Sequence, residues 1–334
     1  MTTKKTPTIY DVAQAAGVSI TTVSRMLNAP EKVNAETRER ILAAIDALGF
    51  VPKAEARARA LSQTGYIGVI TPFFTAPSFV QRLRGIASAL SSENYGLVVY
   101  TVDSADRLQG FLSSLPLTKN LDGLIILSLP VGDPEARRLV DHHLPTVLIE
   151  YPHPLLSSVE IDDIKGGQLA ASYLIKKGHR KIAFIGDTAL PDYSIYPVGK
   201  RLVGFRKTLE EAGLPFPSAY DRRVVYDQEK TRQAAIELLR LPEPPTAIFA
   251  ATDLQALAVL KAARQLKISV PEQLAVVGFD DLDMAEFADL TTIRQHLDES
   301  GRLAVEILIA HLEAPDRPAR HVHLPLTIIE RETA

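Results

Sequence analysis

Four hydroxyls and a guanidinium fall within a short stretch near the amino terminus: Ser19, Thr21, Thr22, Ser24 and Arg25. Hydroxyls both donate and accept, an arginine forks onto two acceptors, and these are the groups that reach base edges in the major groove of DNA. Their spacing leaves Val23, Met26 and Leu27 as an apolar stripe at helical period. The segment therefore reads as a helix that buries this stripe and leaves Ile20, Thr21, Thr22, Ser24 and Arg25 for other surfaces. Ser19 stands where the amino cap of that helix belongs. The bland reading of the same residues is a small helical subdomain that touches no nucleic acid.

The elements that must hold such a helix are legible on either side of it. Thr8 is placed to cap a preceding helix, Asp11 complements its amino end, and Ile9, Val12 and Ala13 repeat at one buried face. Gly17 supplies a permissive backbone between the two. A third helix is expected after the cap Asn34, with Ile41, Leu42, Ile45 and Leu48 as its stripe and Gly49 as its stop. Three short helices, the second opening with small polar residues and carrying an exposed arginine, have the geometry of a helix-turn-helix reader.

The motifs T-I-Y-D-V-A at 8–13, A-G-V-S at 16–19, T-V-S-R-M-L-N at 22–28, E-T-R at 36–38 and G-F-V-P at 49–52 together resemble the LacI–GalR transcription regulators. The resemblance extends over nearly the whole chain. It implies that Ile20, Thr21 and Arg25 read bases, while Thr8, Tyr10, Ser19, Thr22, Ser24 and Asn28 hold phosphates. It also implies a regulator, expected to act as a repressor, that binds double-stranded operator DNA as a homodimer and is switched by a small effector. A mono- or disaccharide is the first expectation for that effector, and a nucleobase or nucleoside acting as co-repressor the alternative. Neither a metal nor a cofactor is expected.

Residues 52–64 are alanine-rich and helix-prone, with few large apolar side chains. A segment of this kind folds when held against a partner copy and DNA. By the resemblance it is the hinge, in which a leucine acts as a minor-groove wedge. Here Arg57 matches the pattern, but Arg59 stands where the leucine is expected and Leu61 follows two residues later. Either Leu61 is the wedge in a shifted hinge, or Arg59 enters the groove electrostatically; a plain linker is the third reading.

From Tyr66 onward, short apolar runs alternate with helical patterns. Strands are expected at 66–72, 97–101, 123–128, 146–150, 181–186, 223–226, 247–250 and 275–278, with a last strand pattern in L-P-L-T-I-I-E. Helices are expected near 79–93, 106–119, 133–143, 165–177, 198–212, 228–240 and 253–266. Alternation of this type makes doubly wound parallel sheets, and there are too many strands for one ordinary sheet. The fold class is thus α/β: a three-helix head at 1–51, a hinge at 52–64 and a body at 65–334 of two lobes; the family resemblance implies that this body is similar to periplasmic binding proteins, with three crossovers between the lobes. Crossovers are placed near 160, 291 and 322, giving one lobe from 65–160 and 292–321 and another from 161–291 and 322–334.

Facing lobes leave their site where the carboxyl ends of strands meet. Phe73, Phe74 and Ser78 follow the first strand, Thr252 and Asp253 follow A-I-F-A-A, and Asp280 follows A-V-V-G-F. By the resemblance, Arg201 in R-L-V-G-F forks onto ligand hydroxyls or a carboxylate, and Asp280 accepts hydroxyls. Thr252 departs from the pattern, which commonly has an amide there. Tyr193 and Tyr196 are candidates to stack on a sugar ring, with ordinary packing as the alternative.

Enzyme chemistry finds little footing. G-x-G-x-x-G, G-x-x-x-x-G-K-[ST], G-x-S-x-G and H-E-x-x-H are absent. His142-His143 and His321-x-His323 have no second pair at metal-ligand spacing, and Asp162-Asp163 and Asp280-Asp281 read as strand-end polar groups. A sugar-acting enzyme on a binding-protein-like fold is kept as the remote alternative. The absence of cysteine suits a reducing cytoplasm, and neither a signal-peptide pattern nor an apolar run of membrane-spanning length is found. Of 37 basic and 40 acidic residues, nine and six fall in 1–62, which leaves 28 and 34 for the rest. A basic head on an acidic body suits a phosphate-binding module joined to a domain that does not bind DNA. The expected oligomer is a dimer through the first lobe, with helix 79–93 contributing, because no leucine heptads follow the last strand pattern.

Overall fold

The computed structural model describes residues 7–28, 30–50, 64–188, 191, 193–225 and 227–334. They fall into two compact units, one up to Thr64 and one from Gly65 to Ala334.

In the first unit, α1 (Ile9–Ala16), α2 (Ile20–Asn28) and α3 (Ala35–Leu48) enclose a core of Val12, Ala13, Ala16, Val23, Met26, Val33, Ile41 and Ala44. Thr8 and Asp11 close a reciprocal capping box: the Asp11 amide donates to Thr8 Oγ1 at 3.4 Å, and the Thr8 amide donates to Asp11 Oδ2 at 2.7 Å. Gly17 ends α1 at φ 61°, where a side chain would be strained. The expected stripe of α3 is corrected in part. Ile41 is buried and Ile45 packs beside it, but Leu42 and Leu48 are exposed and Ala44 takes the inner face. At 100° per residue, 41, 44 and 45 share a face that 42 leaves.

The second unit holds two sheets. The first has strand order β11-β5-β4-β3-β1-β2, built from β1 (Tyr66–Thr71), β2 (Gly96–Thr101), β3 (Gly123–Leu127), β4 (Thr146–Ile149), β5 (Ser157–Glu160) and β11 (His321–His323), all parallel. Side chains alternate through it. Ile67, Val69, Ile125, Leu127, Val147 and Ile149 face α4 (Pro77–Ser92) and α12 (Leu297–Glu313), while Ile70, Leu124, Ile126 and Leu148 face α5 (Ala105–Thr118) and α6 (Asp133–Asp141).

The second sheet has order β12-β10-β9-β8-β6-β7, from β6 (Ile182–Asp187), β7 (Asp221–Val224), β8 (Ala247–Ala250), β9 (Ala275–Asp280), β10 (Thr292–Arg294) and β12 (Thr327–Ile329). Only β10 and β12 pair antiparallel among these strands. Phe184 and Phe249 on one face of the sheet meet Phe205 of α8 (Pro197–Glu211), with ring centroids 5.6–5.8 Å apart, and α7 (Asp163–Lys176) covers the same face. Ile248, Ala250 and Val276 pack beneath α9 (Gln228–Leu239) and α10 (Asp253–Leu266) on the other.

The chain crosses between sheets three times. The first crossing is Ile161-Asp162, between β5 of the first sheet and the helix that packs on the second. The second falls at Gln295-His296 rather than near 291, because Thr292–Arg294 pairs with β9 and β12 of the second sheet. The third falls after His323 rather than near 322, because His321–His323 extends the first sheet beside β5. Strand β7 also lies two residues before its expected place, pairing Phe184↔Asp221 through Asp187↔Val224. Strands this short carry too little periodic signal for their bounds to be read from sequence.

Candidate functional site

The head presents two groups of polar side chains. Ser19 caps α2: its hydroxyl accepts the Thr22 amide at 3.1 Å and meets Thr22 Oγ1 at 2.8 Å. With Val23 and Met26 held in the core, helical geometry leaves Ile20, Thr21 and Arg25 exposed, and Tyr10 exposed on α1. Thr8 is exposed as well, with Thr22 and Ser24 half-buried. Asn28 closes α2; its side chain, and Arg57, Arg59 and Leu61, lie outside what the structure describes.

In the body, the carboxyl ends of the two sheets' strands surround a cavity of about 500 Å³. The first lobe contributes Phe73, Ser78, Phe79, Arg82, Ser128 and Glu150, and the second contributes Asp187, Ser194, Arg201, Asp227, Thr252 and Asp280, with Gln295 from the second crossing. Helices α4, α8, α9 and α10 all begin at this space, so several amino-terminal dipole ends converge on it.

Arg201 is 4% exposed and fixed on three sides. Its Nε donates to Asp163 Oδ1 at 2.9 Å, its Nη1 donates to the Ala251 carbonyl at 2.8 Å, and its guanidinium lies 3.5 Å from the Phe279 ring centroid. Asp280 Oδ1 is 3.9 Å from Nη1. The arginine is delivered by a tight helix contact: a Cβ at Gly167 on α7 would stand 1.8 Å from the Arg201 carbonyl oxygen. Only glycine lets α7 and α8 approach this closely.

The carboxylates are held under strain of solvation. Burial raises Asp187 to about 6, opposed by Arg201. Burial likewise raises Asp280 to about 6, opposed by Arg201 and Arg82. Asp187 Oδ1 accepts from Gln255 Nε2 at 2.6 Å, and Asp280 Oδ1 accepts from Gln295 Nε2 at 2.5 Å. Ser128 donates to Glu150. Hydroxyl, carboxylate and guanidinium groups in a half-enclosed space with apolar walls from Phe73, Phe79, Val198 and Leu282 suit a small polar ligand. Among the described residues no cluster of His, Cys, Asp or Glu could hold a metal.

Of the residues expected here, the structure brings Phe73, Ser78, Arg201, Thr252 and Asp280 to the cavity wall. Thr252 also caps α10, accepting the Gln255 amide at 3.2 Å. Four others are placed elsewhere. Asp253 is fully buried behind the wall, accepting the Leu282 amide at 2.7 Å and the Thr292 hydroxyl at 2.5 Å. Tyr196 packs in the second lobe and donates to the Asp187 carbonyl at 2.5 Å. Tyr193 packs against the first lobe's core, and Phe74 is exposed. Sequence reasoning missed Arg82, Ser128, Glu150, Asp187 and Gln295. Ser128, Glu150 and Asp187 end or follow strands, so the rule that found Asp280 would have found them; Arg82 and Gln295 carry no such signal.

A helix-turn-helix unit and a two-lobed binding fold in one chain define a ligand-responsive DNA-binding regulator. A family model described as "Bacterial regulatory proteins, lacI family" matches residues 8–53, and one described as "Periplasmic binding protein-like domain" matches 171–334. The chain is 34% identical to the ribose operon repressor of Escherichia coli (strain K12) over 98% of its own length and 99% of that protein's. It is similar to the solved complex of the transcriptional regulator CelR with cellobiose, at 30% identity and a TM-score of 0.68, covering 98% of this chain and 100% of that one. It is also similar to the lac repressor dimer bound to operator and the anti-inducer ONPF, at 27% identity and a TM-score of 0.76, covering 98% and 99%. The chain belongs to the lacI family of bacterial regulatory proteins, and it is a DNA-binding transcriptional regulator.

Proposed function

We propose that the protein is a cytoplasmic, homodimeric, non-catalytic repressor whose operator affinity is set by a mono- or disaccharide bound between the lobes. The observation that carries the ligand class is the arrangement around Arg201 and Asp280. Ser78, Ser128 and Thr252 offer hydroxyls, Asp187, Asp227 and Asp280 offer acceptors, and Arg201 is held rigid by Asp163 and Ala251. Vicinal hydroxyls donate and accept at once, so they satisfy such a mixed wall without bringing charge into it. Relatives named for ribose and cellobiose support the same reading.

By the family likeness, Ile20, Thr21 and Arg25 read bases, and Thr8, Tyr10, Ser19, Thr22, Ser24 and Asn28 hold phosphates. Arg57 and either Arg59 or Leu61 complete the contact from the hinge. The experiment that tests the whole reading is a thermal-shift screen of the full-length protein against D-ribose, cellobiose, adenine and adenosine, with and without DNA from around its own gene. A sugar that stabilises the protein and changes the DNA effect is expected, and the sign of that change separates inducer from co-repressor. Stabilisation by adenine or adenosine alone would replace the sugar with a nucleobase or nucleoside; turnover of any compound would replace the repressor with an enzyme.

A further inference from the structure

Three side chains from one turn of α4 reach out of the first lobe. Arg82, 3% exposed, donates through Nη2 to Glu150 and, at 3.0 Å, to Gln295 Oε1. Gln295, 2% exposed, then donates through Nε2 to Asp280 Oδ1. On the outside of the same helix, Arg84 forks onto Asp298 at 2.6–2.7 Å and onto Asp283 at 2.5 and 3.2 Å. Gln81 Nε2 joins Asp283 at 3.3 Å. Asp283 opens α11 (Asp283–Phe287) in the second lobe.

The buried arm is the informative one, because each lobe could satisfy its charges alone. Arg82 has Glu150 within the first lobe, and Arg201 has Asp163 and Asp280 within the second. What joins the two sets is one amide in the crossover between β10 and α12. An arginine only donates and a carboxylate only accepts, so the joining group must accept on one side and donate on the other; a glutamine amide does both. The geometry also resists drift. A Cβ at Gly301 on α12 would lie 2.3 Å from the Arg82 carbonyl oxygen, and one at Gly85 would lie 2.0 Å from that of Asp298. Helices α4 and α12 are therefore in backbone contact at the residues that carry the link.

We propose that Gln295 is a positioning residue that ties the ligand-facing carboxylate Asp280 to Arg82, and so transmits occupancy of the cavity to the relative orientation of the lobes. This rests on the reading of the cavity as the effector site. A ligand hydroxyl that donates to Asp280 competes with the Gln295 amide for the same acceptor, and the link to α4 changes with it. Arg82 Nε, buried and without a hydrogen-bond partner among the described residues, is a second donor that such a rearrangement can satisfy.

The chain has no cysteine, so two can be introduced for spin labels without background. Gln109→Cys on α5 and Glu210→Cys on α8 place one exposed label on each lobe. Interlobe distances are measured by double electron–electron resonance in labelled chains diluted with unlabelled protein, without ligand or DNA. The parent is expected to give one narrow distribution, and Gln295→Leu a broadened or displaced one while keeping a cooperative melt. Gln295→Glu keeps an acceptor for Arg82 but sets a carboxylate against Asp280, and is expected to behave as Gln295→Leu does; it also serves where the leucine variant does not fold. Arg84→Ala, which removes only the exposed arm, is expected to leave the distribution close to that of the parent. Parent-like distances in the Gln295 variants would overturn the proposal. Because no ligand enters this measurement, its outcome is separate from success or failure of the sugar screen.

Discussion

At the scale of single residues, the body concentrates its polar chemistry where solvation is poorest. Asp187 is the clearest case, raised to about 6 by burial. A carboxyl raised in the native state binds more protons folded than unfolded between the ordinary carboxylate range and about pH 6. Stability from this group therefore falls as pH rises through that window, and the full cost stands above it. Asp187→Asn removes the cost while keeping an acceptor for Gln255. Its melting temperature is expected to exceed the parent's most at about pH 8, with the difference closing toward about pH 4.5, as read by melts across that range. Arg201→Lys keeps the charge but loses the fork and the ring contact. Ligand affinity by calorimetry is expected to drop about tenfold or more, with operator affinity held within about twofold. In the head, Arg25→Ala is expected to cost about 1–3 kcal/mol on specific DNA, and far less on random DNA, in binding titrations; equal losses on both would remove Arg25 from the base-reading set.

At the scale of elements, glycines rather than large side chains decide where the arginines stand. Gly167→Ala would set a Cβ 1.8 Å from the Arg201 carbonyl oxygen and force α7 from α8. A loss of stability of about 1–3 kcal/mol is expected by denaturant titration, together with weakened ligand binding, since Arg201 shifts with its helix. The amino-terminal helices start at side-chain caps, Thr8, Ser19 and Asn34. Most of these elements were legible: the alternating apolar runs announced seven strand–helix units, and Thr8, Ser19 and Asn34 announced the head's helix starts. Strands β5, β10 and β11 were missed because S-S-V-E, T-I-R and H-V-H are three or four residues, mostly polar, that offer no apolar run to read.

At the scale of the whole molecule, regulation is a matter of differential affinity. A ligand with a tenfold preference for one lobe arrangement supplies only about 1.4 kcal/mol, so switching requires a near-balanced start or a larger preference. The basic head sets a second expectation. Operator affinity should fall linearly on a log–log plot against salt, with the slope reduced when Arg25 is removed only if that arginine also neutralises a phosphate; filter-binding titrations over a salt series measure it.

The sequence by itself determined the class of fold and the helix-turn-helix with its exposed Ile20, Thr21 and Arg25, and it pointed to Arg201 and Asp280 as candidates for the site. Each follows from local signals, a cap, a period or a motif, that need no knowledge of distant partners. Only the tertiary structure decided that Asp253 lies behind the wall and that Tyr193 and Tyr196, half-buried, pack against the cores of the two lobes. The same is true of Arg82, Glu150 and Gln295 completing the cavity. Arg82 and Gln295 are 213 positions apart in the chain and 3.0 Å apart in space. Such a contact exists because three crossovers bring the carboxyl ends of two sheets' strands toward each other, and no periodicity along the chain encodes it.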